Sequence, residues 1–117
     1  MPKRYPDLIL QDMLEFIQAI QTFCSNLQPE QLLASRLHRD AIIRNLELLG
    51  EAANQLPKAL QEAHPHIPWK HMIALRNKLI HEYHGVNWDI LLPTILNDLP
   101  PLQHQLQKLY DTIDKNK

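Results

Sequence analysis

Apolar side chains recur along most of this chain at intervals of three and four, the period of one face of an α-helix. Leu10, Met13, Leu14, Ile17 and Ile20 or Gln21 make one such face. They predict a first helix from about Asp7 to Phe23, with Asp7 as its N-cap. A short turn is expected at Pro29 to Leu33. Ile42, Leu46, Leu49, Ala53 and Leu56 make a second face, on a helix from near Ser35 to about Gln55. Ile43 with Gly50, and Ala41 with Leu48 and Ala52, widen it. A helix apolar on more than one side is central to its fold or packs against a second subunit. One polar stripe remains on it, formed by Arg44, Glu47, Glu51 and Asn54.

Prolines set most of the other boundaries. Pro57 opens a short helix to about Ala63, and His64 to Trp69 reads as a turn. A helix from Trp69 to about Tyr83 follows, with Gly85 as its natural C-cap. Asn87 or Asp89 starts the next helix, which runs to about Leu96 and is a candidate for kinking at Pro93. Asn97, Asp98, Pro100 and Pro101 then restart a last helix that ends near Ile113. The pattern predicts an all-α fold: one domain over residues 1–117, an antiparallel bundle of four to five helices. Glycine occurs only at Gly50 and Gly85, too seldom for the tight turns of a β-rich fold.

Composition narrows the function classes. The 117 residues, 44% hydrophobic and 21% charged, are enough for a core without disulfide or metal staples. A net charge of −1 gives no overall attraction to nucleic acid, so any RNA binding must come from a local cluster. The lone Cys24 has no internal disulfide partner and fits a reducing compartment. The stretch MPKRYPDLIL lacks the apolar run and cleavage site of a signal peptide, and no apolar run is long enough to span a membrane. A cytoplasmic protein is expected.

Candidate chemistry lies in RNKLIHEY, Arg76 to Tyr83. On a continuous helix Arg76 and Tyr83 fall nearly on one line, while Asn77 and His81 stack at i and i+4 on the adjacent one, which continues to His84. Leu75, Leu79 and Ile80 lie largely away from this patch. Histidine transfers protons near neutral pH, and arginine offers a fixed fork of donors to a phosphate. RNA carries its own nucleophile in the 2′-hydroxyl, so attack on its phosphodiester requires no metal, cofactor or protein nucleophile. One histidine per chain is thin for acid–base work, and a symmetric dimer would bring two sets into one cleft.

From spacing alone, such a patch is most often a solvated face or a structural hydrogen-bond set. The stripe Arg44/Glu47/Glu51 likewise reads first as ion pairs, with Glu47 or Glu51 orienting Arg76 or His81 as the sharper alternative. His81 and His84 at i, i+3 suggest zinc, but no cysteine or aspartate lies among the histidines, and Arg76 would repel a cation. Trp69 and Trp88 read as helix-end packing residues before base-stacking platforms. No P-loop or nucleophile elbow is present.

At RNKLIHEY the chain resembles the HEPN superfamily, specifically its HepT-like toxins, which carry Arg, four residues, His, one residue, Tyr. Those positions are Arg76, His81 and Tyr83, with Asn77 after the arginine. RNLELLGEA from Arg44, the block from His64 to Leu91, and NDLPPL from Asn97 resemble the family's other segments in the same order. The resemblance implies a helical homodimer with facing motifs, acting as a metal-independent endoribonuclease that leaves a 2′,3′-cyclic phosphate and a 5′-hydroxyl. It implies a toxin whose partner, a minimal nucleotidyltransferase of the MntA kind, silences it by attaching AMP to Tyr83. Arg76 and His81 are then the catalytic candidates, with Asn77, Glu47 and Arg44 in support. The main rival is a non-catalytic helical dimer that binds a nucleotide or a nucleotidyltransferase at the same residues. A purely structural interaction protein is the third reading.

Overall fold

The computed structural model describes residues 5–115, apart from the side chains of Tyr83, Asp114 and Lys115. These residues form six α-helices and one 3₁₀ turn: α1 (Pro6–Asn26), α2 (Pro29–Ala34), α3 (Arg36–Gln55), α4 (Lys58–Ala63), α5 (Trp69–His81), the turn Tyr83–Gly85, and α6 (Trp88–Lys115). No strand occurs among the described residues. The all-α reading therefore stands. Six helices stand against the expected four to five: Pro29–Ala34, expected as a turn, closes into a six-residue helix, while the last two expected helices merge.

Helix starts follow capping chemistry. Ser35 Oγ accepts the His38 amide at 3.3 Å and caps α3, which starts where expected. Asn87 Oδ1 accepts the Asp89 amide at 3.0 Å at the head of α6. Asp7 is not the N-cap of α1. Pro6 takes the first helical position, where its missing N–H costs nothing, and Asp7 falls in the first turn, buried.

The α1 residues Leu10, Met13, Ile17 and Ile20 are fully buried, as are Ile42 and Ala53 on α3. Helix α3 is central, with α1 and α2 on one flank and α5 on the other, and α6 lies against α1. α5 runs antiparallel to α3: Gly50 meets Met72 and Arg76, while Ile43, two turns earlier, shares a cavity with His84 and Val86. α1 and α6 are also antiparallel, since Gln103 reaches Gln18 while Leu96 lies near Cys24.

The last two expected helices are one. Pro93, Pro100 and Pro101 lie inside α6 without ending it. Each proline strips a partner from the carbonyl four residues back, here those of Asp89, Leu96 and Asn97. All three are exposed residues, where water can take the freed acceptor. On the other side Leu92, Ile95, Leu99, Leu102, Leu106 and Leu109 are buried at intervals of three and four. That continuous apolar seam holds the helix in register through the prolines.

Candidate active site

The site is set by a close approach between α3 and α5. A Cβ placed on Gly50 would lie 2.4 Å from Arg76 Cβ and 2.5 Å from the Met72 carbonyl oxygen. Only a glycine allows the two backbones this near. The arginine's stem is therefore pressed into the seam, and the residue is half-buried. Its Nη1 donates to Asn77 Oδ1 at 2.9 Å. Its Nε is buried and finds no acceptor among the described residues. Leaving such a donor unpaired costs on the order of 1–3 kcal/mol.

His81 is the last residue of α5 and is exposed. Five residues of α-helix turn through about 500°, so Arg76 and His81 point about 140° apart around the axis. One chain does not bring the two together. Asn77 stands on the exposed side and is the supporting residue that touches Arg76.

The acidic stripe of α3 behaves differently from expectation. Glu47 is half-buried and Arg44 and Glu51 are exposed, yet among the described residues none of them pairs with Arg76, His81 or each other. Exposed partners gain little from pairing, so these side chains stay solvated. Glu47 lies one turn from Gly50 along the seam.

Helix α5 does not reach Tyr83. It stops at His81, Glu82 leaves helical geometry at φ −126°, and the chain tightens into the 3₁₀ turn that leads to α6. Gly85 sits in that turn without a positive φ, so it is not a left-handed cap. The expected alignment of Tyr83 with Arg76 along one helix line therefore fails at the backbone, and the place of the Tyr83 hydroxyl lies outside the described residues. His84 also leaves the helix and lines a separate cavity with Arg36, Arg39 and Trp88.

Residues 13–109 match the family described as HepT-like, "Ribonuclease HepT-like". The chain belongs to the HepT-like ribonuclease family. It is 34% identical over 114 residues to "Putative RNase MJ1216" of Methanocaldococcus jannaschii, covering 97% of this chain and 94% of that one. It is 38% identical over 100 residues to "Probable ribonuclease HepT" of Thermococcus cleftensis, covering 86% and 91%. It is 36% identical over 108 residues to "Putative RNase TTE0752" of Caldanaerobacter subterraneus, covering 92% and 93%. No solved structure matches the chain.

No group of three or more His, Cys, Asp or Glu among the described residues is arranged to hold a metal ion. No helix among them is long and apolar enough to cross a membrane. Three residues near these elements were not singled out by sequence pattern. Gly50 was legible as apolar surface and not as the contact that seats Arg76. Its signal was its place inside a helix, where glycine costs about 1 kcal/mol and calls for a compensating contact. Arg36 and Arg39 carried no signal beyond charge, because only the fold brings them beside His84.

Proposed function

We propose that this chain cuts RNA as a two-fold homodimer, with Arg76 and His81 of both copies lining one cleft. The observation that carries the reading is the seating of Arg76: its stem lies against Gly50, the residue is only half-buried, and its Nη1 is held by Asn77 Oδ1 on the helix that carries His81. A guanidinium held this way keeps further N–H donors for an anionic phosphate oxygen. The divergence of Arg76 and His81 within a chain adds a reason for the second copy.

In this mechanism one neutral His81 takes the proton of the substrate's 2′-hydroxyl. The 2′-oxygen attacks phosphorus, and the bond from phosphorus to the 5′-oxygen breaks. The partner copy's imidazolium returns a proton to that leaving oxygen. The products are a 2′,3′-cyclic phosphate and a 5′-hydroxyl. Arg76 binds the phosphate and the charge that builds on it, and Asn77 holds the guanidinium. The protein acts as a toxin and is silenced when a minimal nucleotidyltransferase attaches AMP to Tyr83.

The test is cleavage of single-stranded RNA in EDTA by wild type and His81→Ala. Wild type is expected to cut RNA and spare its 2′-O-methyl form, and the variant to lose about 10²–10⁴ in rate. Cleavage of the 2′-O-methyl strand, or a need for divalent metal, would overturn the mechanism. The 140° divergence also favours a second reading, a non-catalytic dimer that binds a nucleotide or a nucleotidyltransferase at these residues. Nucleotide binding without any cleavage would select it.

A further inference from the structure

Beyond the end of α5 lies a cavity of about 370 Å³, between the first turns of α3 and the head of α6. It begins three residues past His81, where His84 forms part of its wall. Arg36 and Arg39, one turn apart on α3, line one side with Asp40. Half-buried Trp88 and buried Ile43 supply apolar lining.

Arg39 is already oriented, because its Nη1 donates to the Leu33 carbonyl. Arg36 is not: its Nε meets Asp40 Oδ2 at 3.4 Å, with side chains 83% and 42% exposed. A pair that open to water holds weakly, so Arg36 can turn to a better anion. Two guanidiniums against one carboxylate leave the pocket cationic on a chain whose net charge is −1. Guanidinium forks bind phosphate, and an indole face stacks a base of any identity. The volume is that of a small-ligand site, large enough for one nucleotide unit.

We propose that this pocket holds the nucleotide of single-stranded RNA next to the one cut at Arg76 and His81, with its phosphate on Arg36 and Arg39 and its base on Trp88. The proposal rests on the ribonuclease reading, and it supplies the local positive cluster that the overall charge lacks. Stacking on Trp88 then holds the flanking base whatever its identity, apart from the cleavage motif.

The probe is a fluorescein-labelled, single-stranded 2′-O-methyl oligoribonucleotide, which binds without being cut. Anisotropy is read with the full-length protein at several salt concentrations. Arg36→Ala is expected to weaken binding about tenfold and to lower the slope of log K against log salt by about 0.7. Trp88→Leu is expected to weaken it roughly five- to a hundredfold with the slope unchanged. Should Trp88→Leu unfold, Trp88→Phe keeps a stacking ring and a second readout. Trp69 is buried, so quenching of tryptophan emission by the oligonucleotide should come from Trp88 and vanish in Trp88→Phe. Equal affinity and slope for Arg36→Ala, with quenching retained in Trp88→Phe, would overturn the proposal. Parallel cleavage of unmodified RNA by wild type separates the two ideas. Cleavage with no effect of these substitutions on binding removes the pocket alone. Binding that depends on them without any cleavage removes the ribonuclease reading alone.

Discussion

Gly50 and Arg76 meet at the point where α3 and α5 come closest, with the Cβ that Gly50 lacks falling 2.4 Å from Arg76 Cβ. The residue without a side chain and the residue with the longest one occupy the same crossing. The glycine lets the arginine stem lie in the seam, and the seam leaves Nε without an acceptor.

Gly50→Ala should therefore destabilise the chain even though it improves helix propensity. The propensity gain is about 1 kcal/mol. Against it stands overpacking, which costs about 1–3 kcal/mol and falls here partly on the Met72 backbone carbonyl, which cannot rotate away as a side chain would. The melting temperature should fall by several degrees. A rise would mean that α3 and α5 do not approach this closely.

Arg76→Met should separate stability from activity. Methionine keeps an unbranched stem for the contact with Gly50 and removes the unpaired donor. Thermal melting should be unchanged or up to about 1 kcal/mol better, while RNA cleavage is lost. A variant that melts several degrees lower would show that the guanidinium has a structural partner after all.

The all-helical fold and the central place of α3 were legible because apolar periodicity is long and clean on α1, α3 and α6. Local punctuation was read too literally. Proline marked a break at Pro93 and again at Pro100, yet the buried stripe from Leu92 to Leu109 outweighed both. Glycine marked a cap at Gly85, yet the helix had already stopped at His81. Of the expected patch, the Arg76–Asn77 contact was legible from adjacent positions on one helix, whereas Arg76 and His81 diverge around the axis of α5. Arg36 and Arg39 were not legible, since nothing local ties them to His84. That proximity comes from α5 running antiparallel along α3.

Cys24 offers a pH test of the α1–α6 packing. Burial pushes its thiol pKa above the ordinary value of 9.0. A folded pKa above the unfolded one means that the folded state holds its proton more tightly. The resulting stability is fully present below about pH 9 and is lost as pH climbs through the folded value. Alkylation by iodoacetamide at pH 8.5 should accordingly be slower in the native protein than in urea, because the raised pKa leaves less thiolate and the residue is half-buried. Equal rates would place Cys24 in solvent and open the gap it shares with Ile95 and Pro100.

Assembly has an equally direct measure. The proposed cleft needs two chains, because the two key side chains of one copy diverge by about 140°. Light scattering at micromolar concentration should return twice the 13.7 kDa chain mass. Mass at the single-chain value across that range would leave each Arg76 without a facing His81, and the shared-cleft chemistry would fail with it.

Silencing through Tyr83 is the last expectation, and the backbone alters its argument. The residue opens a 3₁₀ turn two positions after His81, with exposed Glu82 and His84 on either side. An acceptor on a turn can be presented to a second enzyme more readily than one in the middle of a packed helix. In the transfer, the phenol oxygen attacks the α-phosphorus of ATP, pyrophosphate leaves, and the phenol proton goes to solvent. If Tyr83 is the acceptor, the added nucleotide would bring negative charge and bulk two residues from His81 and so obstruct RNA at the proposed cleft. Co-expression with the cognate nucleotidyltransferase should add one or more AMP masses per chain and abolish cleavage. Tyr83→Phe should stay unmodified and remain active in the same cells. Intact-protein mass spectrometry decides the matter: equal modification of the Tyr83→Phe chain would move the switch to another residue, and an unmodified wild-type chain would remove covalent silencing altogether.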